Sequence, residues 1–135
     1  MVAYQTHKEV PLDEFIDLYR RSTLGERRPV HNRAVMAAML EHADVLITAW
    51  HGAQLIGLAR TLTDFQYVAY LADLAVDAAW QRQGIGRELV RRTRAALAPT
   101  CFITLLAAPK ANDYYRHLGF TAQPRAWTLG PEIVA

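Results

Sequence analysis

The segment Gln81-Arg82-Gln83-Gly84-Ile85-Gly86 carries the clearest chemical signal in the chain. It follows a run of strand formers that ends at Val76 and opens an amphipathic helix running from Gly84 to about Ala98. A helix N-terminus has free backbone N–H groups and a partial positive charge. Two glycines remove the Cβ atoms that would hold an anion away from that backbone. The spacing therefore predicts a pyrophosphate site, with Arg82 and Arg87 adding charge at its edge. A Gly-x-Gly turn also serves close packing alone, and this one lacks the third glycine and the downstream acid of a dinucleotide fingerprint.

The elements that must position this loop can be read along the chain. Val2 to Thr6 suits a short first strand. Leu12, Phe15, Ile16 and Tyr19 form a helical face behind the acidic Asp13 and Glu14. Thr23 to Pro29 is polar and basic and reads as a loop. Asn32 can cap a second helix with the apolar face Val35, Met36, Met39 and Leu40. Val45 to Trp50, Gln54 to Thr63 and Tyr67 to Val76 are strand-like runs separated by short turns, which implies an antiparallel meander. The helix after Gly84 turns Ile85, Leu89, Val90, Ala96 and Leu97 inward and is stopped by Pro99. Cys101 to Ala107 reads as a buried strand, so Tyr67 to Ala107 is a strand-helix-strand unit, most simply a right-handed parallel crossover. Pro109 can start a last helix that Gly119 ends, and a short strand is expected near Ala126 to Leu129. The fold class is α/β: one mixed sheet, antiparallel meander first and then a parallel β-α-β crossover. All of residues 1–135 is expected to form a single domain.

Two blocks carry a family likeness. Tyr70-Leu71-Ala72-Asp73-Leu74-Ala75-Val76-Asp77 followed by Gln81-x-x-Gly84-x-Gly86 is one; Ala111-Asn112-Asp113-Tyr114-Tyr115-Arg116-His117-Leu118-Gly119-Phe120 is the other. In order and separation they resemble the GCN5-related N-acetyltransferase (GNAT) superfamily, in particular its short bacterial members and more loosely the plastid and cyanobacterial arylalkylamine enzymes. The likeness is sharp from about Tyr70 to Phe120. Many members have Pro where this chain has Ala78, and Asn where it has Ala108. Asn112 stands near that Asn position and is counted among the cofactor contacts.

The resemblance implies an acetyl-CoA-dependent N-acetyltransferase, with acetyl-CoA as cosubstrate and no metal. The strand end Leu74-Ala75-Val76 would pair its backbone with the pantetheine arm as if the cofactor were an added strand. One N–H there would polarise the thioester carbonyl. Backbone N–H groups of Arg82, Gln83, Gly84, Ile85, Gly86 and Arg87 would hold the pyrophosphate, beside Gln81. Tyr115 matches the family tyrosine placed near the sulfur; a phenol with an unperturbed pKa of about 10 is protonated at neutral pH and can donate to the leaving thiolate. The alternative for Tyr115 is an amphipathic core residue. An alkylamine must lose a proton before it attacks, at a cost of about 4–5 kcal/mol at neutral pH. Asp73 is the first candidate for that base if a bulge re-aims it; its alternative is a paired structural carboxylate. Asp64, Tyr70 and His31 are weaker candidates. Glu26, Arg27, Arg28 and Arg60 are candidate acceptor contacts.

Composition bounds the alternatives. The chain has 135 residues, 52% hydrophobic and 21% charged, which is globular rather than disordered. Its net charge of +2 is too mild to argue for nucleic acid. The single cysteine, Cys101, excludes an internal disulfide and a Cys-based zinc cluster. Met1 to Val10 lacks the apolar core of a leader, and no apolar run is long enough to span a bilayer, so a cytoplasmic protein without membrane partners is expected. A small primary amine is the first acceptor class, reached by direct attack in a ternary complex. A protein N-terminus or lysine is the second, and a non-catalytic acyl-CoA-binding module is the rival outside enzymes. Family similarity alone allows a homodimer.

Overall fold

Strands joined by short turns pair with their neighbours in antiparallel fashion, and the computed structural model, which describes residues 1–132, follows that rule through its first four strands. These are β1 (Ala3–Thr6), β2 (Val45–His51), β3 (Gln54–Thr63) and β4 (Val68–Val76), with α1 (Leu12–Arg21) and α2 (Arg33–Glu41) inserted between the first two. A longer connection, α3 (Ile85–Ala95), brings β5 (Phe102–Thr104) back parallel to β4. The five strands lie in sequence order across one mixed sheet. The chain divides into two compact units, Met1–Leu105 and Leu106–Ala135; the sheet and these helices make up the first.

Both faces of the sheet are covered, as neighbouring β3 residues show. Leu58 packs in a cluster with Phe15, Leu18 and Tyr19 of α1 and Met36 of α2. Gly57, one residue away and therefore on the opposite face, lies under α3. A Cβ placed on it would come within 3.1 Å of Ile85 Cγ2 and 3.2 Å of Leu89 Cδ1. A residue with a Cβ here would require the Ile85 and Leu89 side chains to give by a few tenths of an ångström, so glycine suits this close approach of α3 to β3. Full burial of Phe15, Leu18 and Met36 stabilises this layer by roughly 1.5–3 kcal/mol per side chain.

The helix starts follow local chemistry. Asn32 caps α2 by accepting a hydrogen bond from the Val35 N–H at 3.2 Å. On that helix Met36 is buried, whereas Val35, expected inward, is 41% exposed. The β5 strand is shorter than the expected run to Ala107. Its last partner is Tyr70, opposite Thr104, and beyond that point a bulge turns β4 away. Among the described residues no helix is long and apolar enough to cross a membrane.

The second unit contains a 3₁₀ turn, Pro109–Ala111, and α4 (Asn112–His117). Gly119, with φ +95°, follows the helix, and the N–H groups of Leu118 and Phe120 both reach Tyr115 O. This is the left-handed ending the sequence predicts. The strand expected near Ala126 to Leu129 does not form. Trp127 and Leu129 remain 92% and 77% exposed, so these side chains bury little that would offset the entropy of ordering a strand.

Candidate active site

The site begins with a break in the β3–β4 ladder. Arg60 pairs with Asp73, but the next β3 residue, Thr61, pairs with Leu71. Ala72 is left out of the ladder, a one-residue bulge that bends β4. Beyond it, the Asp77 N–H bonds Ile56 O at 2.8 Å. Antiparallel strands turn alternate residues toward each partner. Asp77, Ala75 and Asp73 therefore direct their backbone groups at β3, while Leu74 and Val76 direct theirs at the other edge. β5 ends at Thr104, opposite Tyr70, and among the described residues no strand pairs with that edge past the bulge. The amides of Leu74 and Val76 thus line an open strand edge, and Ala75, the third residue of the expected trio, turns its backbone inward.

This edge runs into the glycine loop. Asp77 fixes the junction: Oδ1 accepts from the Ala79 N–H at 2.9 Å, and Oδ2 accepts from Arg21 Nη1 at the end of α1. Arg21 also donates to Asp17 Oδ2 at 2.7 Å and to Leu55 O at 2.9 Å. Gln81 Nε2 donates to Val76 O at 3.3 Å, which places the first expected phosphate-loop side chain on β4. Arg82 and Gly84 both have positive φ, +65° and +80°. Gly84 is the left-handed N-cap of α3, and the Glu88 N–H closes on Gly84 O at 3.1 Å. The amides of Ile85 and Gly86 precede that bond and have no partner within the helix. A Cβ built at Gly84 would meet nothing within 4 Å. Open space in front of unbonded amides at a positive helix end is what a phosphate requires. Gln83 is exposed in the same loop and Arg87 is exposed on the first turn of α3.

Asp73 lies on the α1 side of the sheet. The bulge gives it that aim, because Arg60 and Thr61, which flank the break on β3, face opposite ways. Its side chain is fully buried. Oδ2 accepts from Tyr19 Oη at 2.5 Å and from Arg60 Nε at 2.5 Å; Oδ1 accepts from Arg28 Nε at 2.6 Å. Burial first, and then the Asp73 charge, push the Tyr19 hydroxyl well above the ordinary phenol value. Tyr19 was legible only as an apolar-face residue, although a buried phenol on such a face needs a hydrogen-bond partner. Nothing local in the sequence pairs Arg21 with Asp77, which stand 56 residues apart.

Other candidates have different duties. Asp64 Oδ1 accepts from the N–H groups of Gln66, Tyr67 and Val68 at 2.8–3.1 Å. The Tyr67 bond first, then those of Gln66 and Val68, hold its carboxyl below the usual range. It builds the β3–β4 turn. In the second unit, Tyr115 stacks edge-on against Tyr114 and Phe120, with centroids 5.3 and 5.6 Å away. Asn112 is the first residue of α4.

A bulged strand edge, a left-handed glycine at a helix start and a mixed sheet covered on both faces define an α/β fold in which the open edge leads into the start of one helix. The sequence model of the acetyltransferase (GNAT) domain matches residues 19–126. The chain belongs to the GNAT acetyltransferase family. A soybean (Glycine max) protein named histone acetyltransferase TAP1 is 32% identical over 127 residues, covering 81% of this chain and 54% of that protein. The chain spans about half the length, or less, of the first curated relatives it matches. Among solved structures, a GNAT-family acetyltransferase from Streptococcus pneumoniae superposes with a TM-score of 0.77 at 25% identity, covering 98% of this chain and all (100%) of that one. An aminoglycoside N-acetyltransferase in complex with CoA superposes with a TM-score of 0.73 at 17% identity, over 98% of this chain and 96% of that one. At that identity the likeness speaks for the fold.

Proposed function

We propose that residues 1–135 act as one cytoplasmic N-acetyltransferase domain that moves the acetyl group of acetyl-CoA to a primary amine by direct attack in a ternary complex. The single observation that carries this reading is the continuity of the open β4 edge with the Gly84 helix start. Acetyl-CoA has a matching shape: an amide-bearing arm followed by a diphosphate. Leu74 and Val76 would bond the arm, and the loop Arg82 to Gly86 would take the diphosphate, flanked by Gln81 and Arg87. Acetyl-CoA supplies an activated acyl carbon, whose C–S bond breaks as the N–C bond forms.

The Leu74 amide, first on the open edge after the bulge, is the donor assigned to the thioester carbonyl. Preorganised backbone donors of this kind are worth roughly 10²–10³ in rate. Tyr115 is assigned the proton for the departing thiolate, on the family motif. For Asp73 the geometry supports the paired-carboxylate role over that of base, because both oxygens already accept strong donors. In this reading the amine gives up its proton to water. Asn112 remains an assigned cofactor contact.

A small amine is the favoured acceptor, in line with the aminoglycoside enzyme that shares the fold. A protein amine is the second reading, favoured by the relative named as a histone acetyltransferase. CoA release measured across a panel of small amines and amine-bearing peptides separates the two. Absence of acetyl-CoA binding in calorimetric titration would remove both.

A further inference from the structure

We propose that Arg28 is a positioning residue for acetyl transfer: from the loop between α1 and α2 it pins the Ala72 bulge and so sets the direction of the Leu74 amide. This inference deepens the acetyl-transfer reading and rests on it. The guanidinium makes three bonds with separate donors. Nε reaches Asp73 Oδ1 at 2.6 Å, Nη2 reaches Ala72 O at 2.9 Å, and Nη1 reaches Arg27 O at 2.9 Å. Two of these fall on consecutive β4 residues, the bulged one and the first to rejoin the ladder. The peptide group that receives Nη2 immediately precedes the one that carries the Leu74 N–H.

The clamp is itself anchored. Asp73 is tied to α1 through Tyr19 and to β3 through Arg60. The loop bearing Arg28 folds tightly onto the end of α1: a Cβ at Gly25 would lie 3.1 Å from Tyr19 O and 3.3 Å from Arg20 Cα. Arg28 therefore refers the bulge to the rigid core. Ala72 lies outside the β3–β4 ladder, and Arg28 holds its carbonyl by a side chain in place of a regular ladder bond. Loss of the bulge would slip this arm of β4 by one residue against β3 and reverse which of its amides face the open edge. Leu74 would then turn toward β3 and the carbonyl donor would be lost.

A plain charge-neutralising role for Arg28 would need only one cation near Asp73. The planar fork that reaches Asp73 and Ala72 together is specific to arginine. Arg28→Lys keeps the charge and surrenders the fork; Arg28→Ala with added guanidinium restores it. In Arg28→Lys we expect CoA affinity within about threefold of the parent, an unchanged KM for acetyl-CoA, and a kcat about 100-fold lower, the size expected for a misplaced catalytic group. Guanidinium should recover part of the kcat of Arg28→Ala. Crystals of Arg28→Lys should show the Ala72 carbonyl re-aimed or the bulge lost. A wild-type kcat in Arg28→Lys, or an unmoved Ala72 carbonyl, would overturn the proposal. If the parent protein itself transfers no acetyl group, the acetyl-transfer reading fails, and the Ala72 geometry in those crystals still decides whether Arg28 sets the bulge.

Discussion

Arg60 and Asp73 face each other across β3 and β4 at the residue where the ladder breaks, with Nε 2.5 Å from Oδ2. The Arg60 side chain is 10% exposed and that of Asp73 is 0% exposed. Removing one member of such a pair strands the other charge away from water, at about 3–5 kcal/mol. Asp73→Asn is therefore expected to lower the free energy of unfolding by about that amount in urea titrations. The limbs of the pH–rate profile should stay where they are in the folded variant. Loss of a limb would reinstate Asp73 as the base.

Gly84 combines a backbone need with a ligand need. Its φ of +80° strains any L residue, by about 1–2 kcal/mol. The open space around its missing Cβ means that no clash within the protein adds to this. Gly84→Ala should thus fold with a small fall in melting temperature. CoA affinity should fall further than the stability does, because the new methyl group would project into the proposed anion site. Gly84→Asp adds a negative charge there and should abolish binding in calorimetric titration. Equal affinity in all three proteins would place the diphosphate elsewhere.

The parts legible in the sequence are those governed by local chemistry. Alternating runs joined by short turns gave the meander, Asn32 marked the start of α2, and Gly84 marked the start of α3. The glycine loop was legible because a left-handed helix start is set by backbone conformation and marked by small residues. The Tyr19–Asp73–Arg60–Arg28 cluster was not, because its members come from α1, a loop and two strands. Arg28 and Arg60 were visible as candidates for an acceptor, yet both bond a buried carboxylate. The short β5 was missed for a related reason. Hydrophobicity marks which residues can pair, whereas the bulge at Ala72, which ends the pairing, leaves no mark in composition.

Glu88 offers a pH test on the helix that begins at the glycine loop. Hydrogen bonds from Arg91 and Arg92, at 2.6–2.8 Å, bring its carboxyl from the usual value near 4.5 to about 2. A carboxyl depressed on folding adds stability above its unfolded value and loses that contribution as pH falls toward its folded value. The stability gap between the parent protein and Glu88→Gln should therefore be full above about pH 5 and close between about pH 4.5 and 2. Because the pair is at the surface, added salt should narrow the gap at neutral pH. Denaturant titrations at several pH values read both effects. A gap that is constant with pH would mean that the Glu88 charge adds nothing to the stability of α3.

Tyr115 separates a chemical role from a packing role in one variant. Its ring stands edge-on to Tyr114 and Phe120, and its carbonyl accepts the N–H groups that close the end of α4. Phenylalanine keeps the ring and the backbone and removes only the hydroxyl. If that hydroxyl protonates the leaving thiolate, Tyr115→Phe should keep the fold and the CoA affinity while kcat falls about 100-fold or more. The loss should shrink with acyl donors whose thiol is more acidic, because such a leaving group needs less help from a proton. If the tyrosine only packs, kcat will be unchanged and Tyr115→Ala will act through stability alone. A kcat loss that is the same for every leaving group would also remove the acid role, since a proton donor must answer to the basicity of the atom it protonates.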